Sequence, residues 1–394
     1  MTNVLIAYAD TGGGHRAAAS ALRAALLEHG HTTTVTLVDP LAVESRSAPG
    51  RIASLYPHVV QRAPWLWHAG FEATNSPRRM ALAHRLARPF TRHAFQALAA
   101  RHAPDAIVST HPLLTTPLRR AFPQVPIVVV VTDLVSGHAS WYDQAADHLI
   151  VPTAHAHAAA VRCGIPSAAL SHLGVPVSRA FAAVPGERAA LQRSLGWATD
   201  RATVLLAGGA EGVGTLEALA VAIDRAQLPC DIAVVTGRNT ALADRLARRS
   251  WQGVVHIYGF VANFADMMRA AAMLVTKAGP GTISEACASG CPLILSGAIP
   301  GQETGNVDYV VAGHAGIWAP SPLAVTAAMH AWLVGRDAPT ALRIASMAAL
   351  RLARPNAASD AAAVIRQVAE AARHDRAPDT QAVHDDPRRR TAAA

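Results

Sequence analysis

His15 stands in ADTGGGHRAAASAL (residues 9–22), where an apolar strand runs into Gly12, Gly13 and Gly14 and then into an Ala-rich helix. An imidazole with an unperturbed pKa of ~6.5 can take a proton near neutral pH. At a helix mouth it belongs to a ligand surface rather than to a core. Three successive glycines let backbone N–H groups approach a ligand closely, at a helix end that carries partial positive charge. The run lacks the GxGxxG spacing of a dinucleotide fingerprint. A tight turn with a capping histidine is the alternative reading.

A second constellation is VTKAGPGTISEACASGCPLIL (275–295). A strand ends at Lys277, and Gly279-Pro280-Gly281 opens a helix near Thr282, with Glu285 on its first turn. Free N–H groups at Gly281 and Thr282 can take a diphosphate, and Glu285 can accept from ribose hydroxyls. Lys277 is the sole Lys in a chain with 35 Lys plus Arg, so base-composition bias does not explain it. A third is IPGQETGNVDYVV (299–311), where Gln302, Glu303 and Asn306 offer amides and carboxylates to the hydroxyls of a sugar. AGGAEGVG (207–214) places Gly209 and Gly212 after another strand, for a phosphate or a hinge, and YGFV (258–261) offers Phe260 to a base. STHP (109–112) and TDLVSGHASWY (132–142) close two strands, so His111, Asp133, His138 and Trp141 should face the same cleft. His138 reads equally well as a structural residue, and Asp133 or Asp10 could orient His15.

The elements that must position these residues alternate. VLIAYA (4–9), TVTLVD (34–39), AIVST (106–110), PIVVVVTD (126–133) and HLIVPT (148–153) read as strands, with helices at Arg16–His29, Ala87–His102 and His155–Cys163. TVLLAGG (203–209), DIAVVTG (231–237), VVHIYGF (254–260), MLVTKAG (273–279) and PLILSG (292–297) repeat the rhythm. Such βαβ order implies parallel sheets, and ligands bind beyond the carboxyl ends of their strands. The expected fold class is α/β, with two Rossmann-like doubly wound domains and a cleft between them. The domains are residues 1–175 and 176–372, with a linker near GVPVSRAF (174–181). One or two terminal helices over Thr340–Ala372 can pack back on the first domain, and a polar tail over 373–394 reads as disordered.

The 394 residues are 51% hydrophobic and 16% charged, which is globular and, by length, two domains. No apolar run approaches the ~20 residues that span a bilayer, and a strand beginning at Val4 leaves no expected signal peptide. Four scattered cysteines suggest reduced thiols rather than a disulfide framework. The formal charge of +8 is local: residues 45–102 hold nine Arg and one acid, Glu72. Within that segment Tyr56, Trp65, Trp67 and Phe71 lie among arginines such as Arg62. Rings at headgroup depth and guanidinium groups on anionic lipid would make it a membrane-surface segment. No nucleic-acid motif accompanies the charge.

The motifs in order, ADTGGGHRAAASAL, STHPLL, TDLVSGHASWY, GGAEGVG, GRN (237–239), TKAGPGTISEA and GQETGN, resemble those of the monogalactosyldiacylglycerol synthase family from about residue 2 to residue 335. The resemblance extends to bacterial diacylglycerol glucosyltransferases and, more distantly, to the lipid-linked N-acetylglucosaminyltransferase of peptidoglycan synthesis. It implies a GT-B fold with the lipid acceptor in the first domain and the nucleotide sugar in the second. It implies inverting, metal-independent transfer from a UDP-sugar to the free hydroxyl of diacylglycerol, with no cofactor, at the cytoplasmic face of an anionic membrane. His15 matches the family's base. Gly281 and Thr282 match its diphosphate site, Glu285 its ribose contact, and Glu303 and Asn306 its sugar contacts. Residues 45–102 match its membrane-associated acceptor region. HASW stands here where plant members have HPTW. The resemblance leaves galactose against glucose open. Rival readings are a UDP-N-acetylglucosamine donor, a polyprenyl acceptor, a soluble UDP-sugar epimerase of the same fold, or a non-catalytic lipid- or nucleotide-binding module.

Overall fold

Short Val/Ile/Leu runs with no polar alternation suit strands buried on both faces, as in parallel sheets covered by helices. The computed structural model describes residues 2–10, 13–28, 33–41, 63–184, 186–209 and 215–376. The first domain runs β1 (Thr2–Ala7), α1 (Gly14–Glu28), β2 (Thr33–Val38), α2 (Pro64–Thr74), α3 (Pro77–Arg101), β3 (Ala106–Ser109), α4 (Thr115–Ala121), β4 (Ile127–Val130), β5 (His148–Val151), α5 (Ala154–Arg162) and β6 (Leu170–His172). The second continues with α6 (Arg188–Ser194), β7 (Ala202–Ala207), α7 (Leu216–Arg225), β8 (Cys230–Val235), α8 (Thr240–Ala247), β9 (Val255–Tyr258) and α9 (Phe264–Ala270). It closes with β10 (Met273–Lys277), α10 (Pro280–Ala288), β11 (Leu293–Gly297), α11 (Thr304–Ala312), β12 (Gly316–Trp318), α12 (Pro322–Leu333) and α13 (Ala338–Leu352), and a last helix, α14, spans Ala357–Arg376.

Both six-stranded sheets are wholly parallel, in the orders β2-β1-β3-β4-β5-β6 and β12-β11-β10-β7-β8-β9. Each order reverses once, between β1 and β3 and between β7 and β10. Crossovers diverge there and leave a crevice at the carboxyl ends. All four cysteines are free.

The expected boundaries need two corrections, and one open placement is decided. The edge strands β6 and β12, three residues each, carry too short an apolar run to read from sequence. Helix α3 begins at Pro77, ten residues before the expected Ala87, because Ser76 caps it by accepting from the Arg79 N–H at 3.3 Å and Pro77 presets its first turn. Of the two placements open to the terminal helices, α14 takes the one on the first domain. Its Ala358, Ala361, Ala362 and Ile365 form one stripe, buried against Leu22, Leu26, Val4 and Val108. The chain thus leaves the first domain after Gly174 and returns at Ala353–Asn356. The two crossings touch: at Gly174 φ is +105°, and a Cβ there would lie 2.5 Å from Arg354 Cβ. Of the expected tail over 373–394, residues 373–376 are the end of α14, and the rest lies outside the described residues.

Candidate active site

The β1/β3 crevice receives His15. It is the second residue of α1, and its backbone carbonyl accepts from Thr110 Oγ1 at 3.1 Å. Its Nδ1 lies 3.2 Å from Thr132 Oγ1. The His111 ring meets it edge-on at 4.7 Å between centroids, and the Trp141 ring lies 5.8 Å away. Burial lowers the His15 pKa to about 4, against the opposing pull of the Thr110 backbone and the Asp10 carboxylate. The imidazole is therefore neutral near pH 7, with a lone pair available.

Asp133 does not hold this ring. Its Oδ2 accepts from Trp141 Nε1 at 2.7 Å, so it acts on the wall behind His15, while Thr132 beside it meets the imidazole. Asp10 bonds Arg16 Nη1 at 3.3 Å and touches His15 only through its charge. Burial raises the Asp133 carboxyl to about 6; the Trp141 hydrogen bond opposes the rise and the Glu303 charge adds to it. His111 and Trp141, expected as acceptor contacts, are 5% and 0% exposed. They are packing partners of His15 rather than lipid-facing groups. His111 Nδ1 accepts from the Leu113 N–H at 3.3 Å, and burial holds its pKa well below the usual imidazole range. Thr132 was legible only as the residue beside Asp133, since nothing in a strand end distinguishes the side chain that turns to the crevice.

The β7/β10 crevice receives the other set. Helix α10 starts at Gly279 with Pro280 in its first turn, no acid there and no side-chain cap. A Cβ on Gly281 would meet nothing within 4 Å, so the space over that residue is open, while one on Gly279 would lie 3.2 Å from Lys277 Nζ and 3.7 Å from Glu303 Oε1. Thr282 is the third residue of the helix, but Glu285, expected on the first turn, is the sixth and stands on the second, because the helix begins at Pro280; burial pushes its carboxyl up to about 8. Gly209 closes β7 at φ +78°, a conformation glycine adopts without cost. Lys277 pairs with Glu303, whose other oxygen accepts from the Ile299 N–H at 2.9 Å. Asn306 Nδ2 donates to the Ala278 carbonyl at 2.9 Å, while its Oδ1 is buried with no hydrogen-bond partner. Phe260 is 65% exposed, with the Arg238 guanidinium 5.7 Å over its ring. Gln302 does not join Glu303 and Asn306. Its side chain faces the Asp133 carboxyl of the first domain and helps to hold that carboxyl's pKa down. Gly12, Gly212 and Arg62 lie outside the described residues. Gly13, at φ +86°, supplies the turn, and Gly14 begins α1.

Of the basic segment, residues 63–102 are described, and its outward face differs from the expected one. Trp65 is 71% exposed, but Trp67 is half-buried and Phe71 is buried, its ring 4.8 Å from that of His138. The apolar surface is continued instead by Leu82, Leu86 and Phe90, four residues apart on α3, among the exposed Arg78, Arg79, Arg85, Arg88 and Arg92. That stripe was hidden by its Arg-rich surroundings. Among the described residues no helix is long and apolar enough to cross a membrane.

A family profile described as monogalactosyldiacylglycerol (MGDG) synthase matches residues 15–177, and one described as the glycosyltransferase family 28 C-terminal domain matches residues 203–308. A probable monogalactosyldiacylglycerol synthase 2 of Oryza sativa subsp. indica is 35% identical over 379 residues, 91% of this chain and 79% of that protein. Monogalactosyldiacylglycerol synthase 1 of Arabidopsis thaliana is 33% identical over 370 residues, 90% of this chain and 68% of that protein.

The chain belongs to the monogalactosyldiacylglycerol synthase family.

As a member of that family it is a glycosyltransferase. Solved structures show the fold. Acinetobacter baumannii MurG aligns with TM-score 0.59 at 15% identity, over 93% of this chain and 100% of that one. The calicheamicin glycosyltransferase CalG4 aligns with TM-score 0.59 at 16% identity, over 96% and 100%. The architecture is GT-B. A UDP-GlcNAc 2-epimerase from Neisseria meningitidis shares it, with TM-score 0.57 at 12% identity over 93% and 100%. Architecture alone therefore does not separate transfer from epimerisation; membership of the monogalactosyldiacylglycerol synthase family does.

Proposed function

We propose that the protein transfers a hexose, galactose in the first instance, from a UDP-sugar to the free hydroxyl of 1,2-diacylglycerol, forming a β-glycosyldiacylglycerol at an anionic membrane surface. The observation that carries this reading is the pairing of a neutral histidine at one crevice with an uncapped, open helix start at the other. With Nδ1–H donated to Thr132 Oγ1, His15 Nε2 takes the acceptor proton as the hydroxyl oxygen bonds to the anomeric carbon. The bond from that carbon to the diphosphate breaks on the opposite face, and UDP departs with the electron pair. The configuration inverts. Backbone N–H groups at Gly281 and Thr282 face the charge that develops on the diphosphate. The proposed chemistry routes no charge through a metal. The unpartnered Asn306 Oδ1 is a ready acceptor for a sugar hydroxyl.

The membrane part of the reading is supported by the exposed Trp65 and Leu66 of α2 and the Leu82-Leu86-Phe90 stripe of α3. Apolar side chains enter the interface and the arginines meet anionic headgroups.

The test is purified protein with anionic vesicles containing diacylglycerol and, in separate reactions, UDP-galactose, UDP-glucose and UDP-N-acetylglucosamine, with the product read by mass and linkage. A β-galactolipid from wild type and none from His15→Ala is the expected result. An α-linked product overturns inversion, and no glycolipid from any donor overturns the assignment. Replacing Leu82, Leu86 and Phe90 by Ser should lower vesicle affinity by about tenfold or more, on the scale of three lost apolar contacts. Equal binding to neutral and anionic vesicles at every salt concentration overturns the electrostatic part.

A further inference from the structure

The segment from Ile299 to Asn306 has two faces. Glu303 and Asn306 turn inward, to Lys277 and Ala278 of their own domain. Gly301, Gln302 and Gly305 turn outward, onto the first domain. A Cβ on Gly301 would lie 2.9 Å from His68 Nδ1 and 3.2 Å from Phe71 Cδ1, both on α2. The Gly305 N–H donates to Ser136 Oγ at 3.0 Å. A Cβ at Gly305 would lie 2.5 Å from that oxygen and 2.7 Å from Val135 Cγ1, so only glycine admits the approach. Between these two contacts Gln302 faces the Asp133 carboxyl, whose Oδ2 accepts from Trp141 Nε1 at 2.7 Å. The buried Trp141 ring lies against His15. An unbroken line of contacts therefore runs from the segment that bears Glu303 to the imidazole, through side chains of both domains.

We propose that residues 299–306 form an interdomain clasp in which Gln302 and Gly305 are positioning residues: they hold the Asp133–Trp141 wall, and through it His15, in register with the donor domain. The proposal rests on the donor-site reading of Glu303 and Asn306. It moves Gln302 from the sugar to the base. Its consequence is ordering. A donor seated on Glu303 and Asn306 fixes the inward face of the segment, and the outward face then fixes the wall behind the base before an acceptor arrives. Water meets an incomplete site until the donor is bound, which restrains donor hydrolysis.

The closing experiment is hydrogen–deuterium exchange of the full chain with and without UDP-galactose, joined to steady-state kinetics on diacylglycerol vesicles. In wild type, donor should slow exchange over both 277–306 and 133–142. In Gln302→Ala and Gly305→Ala the first protection should persist and the second should vanish. For both variants kcat should fall by about 10- to 100-fold, with the donor KM held within about threefold, since a displaced base costs turnover rather than donor affinity. Gln302→Ala combined with Asp133→Asn should lose little beyond the worse single variant, because both cut one line of contacts. A raised donor KM at intact kcat in Gln302→Ala would return that residue to the sugar and overturn the clasp. So would equal protection of 133–142 in wild type and both variants, or multiplicative losses in the double variant. No protection over 277–306 in wild type overturns the donor-site reading, and the clasp with it.

Discussion

The two helix starts that face the cleft are built from one local plan and put to opposite uses. At α1 a strand turns through Gly13, at φ +86°, and delivers a side chain, His15, one residue into the helix. At α10 a strand turns through Gly279 into Pro280 and Gly281, with no side-chain cap and open space over Gly281, while the Lys277 and Glu303 side chains stand beside Gly279. On the proposed function the first would present a base and the second backbone dipoles. Each also carries one titratable group that burial keeps neutral. His15 is pulled down to about 4 and Glu285 pushed up to about 8. On the proposed function neutrality would serve different ends: a lone pair to accept a proton in one case, and no like charge beside a diphosphate in the other. Composition at a glycine-rich turn does not set its chemistry; the first helical residues after the turn do.

The comparison breaks most visibly at His15. His15→Ala should cut kcat by about 10³-fold while UDP affinity, read by calorimetry, stays within about twofold, since only the first helix start is touched. Gly281→Val is the mirror test. It fills the open space over α10 and should raise the donor KM by about 10- to 100-fold, on the scale of one or two blocked charge-assisted hydrogen bonds, with kcat for bound donor less affected.

Smaller effects sharpen the contrast. Lys277→Met leaves the Glu303 carboxylate buried without its partner. It should lower thermal stability by about 1–3 kcal/mol, a figure discounted for the part-exposed lysine, and Glu303→Gln in the same chain should recover part of that loss. The smallest effect is a pH dependence. Glu285 is protonated below about 8, so the donor KM should rise a few-fold as pH climbs from 7 to 9, and Glu285→Gln should remove the rise. The linked stability term has a definite sign. Between the ordinary carboxylate range of ~4.3 and about 8, the folded chain keeps a proton that the unfolded chain has lost, so this group's contribution weakens as pH rises through that window. His15 runs the other way, its contribution being lost as pH falls from ~6.5 through about 4.

Much of both helix starts was legible because strand–glycine–helix punctuation is local. His15, Lys277, Gly281 and Glu285 sit one to four residues from a glycine that announces them. Misassignments arose where a residue's partner lies far along the chain. Asp133 reads as a companion of His15 from its place at a strand end, yet its carboxyl meets Trp141, eight residues on, and Gln302 of the other domain. Trp141 reads as an acceptor contact and is fully buried. Trp65, Trp67 and Phe71 read alike as interfacial rings, but helix rotation sends Phe71 inward and leaves Leu82, Leu86 and Phe90 outside.

By itself the sequence determined the alternation of strands and helices, the two helix starts, the seat of the charge and the family. These rest on apolar periodicity, glycine spacing and residue counts, all properties of neighbours in the chain. Tertiary structure alone decided that α14 returns to the first domain, that Thr132 rather than Asp133 meets His15, and that Gln302 and Gly305 face across the cleft. Each of those depends on which surfaces meet after crossovers carry the chain past the switch point of each sheet. No local pattern records that, because the same few residues could turn either face toward a partner more than a hundred positions away.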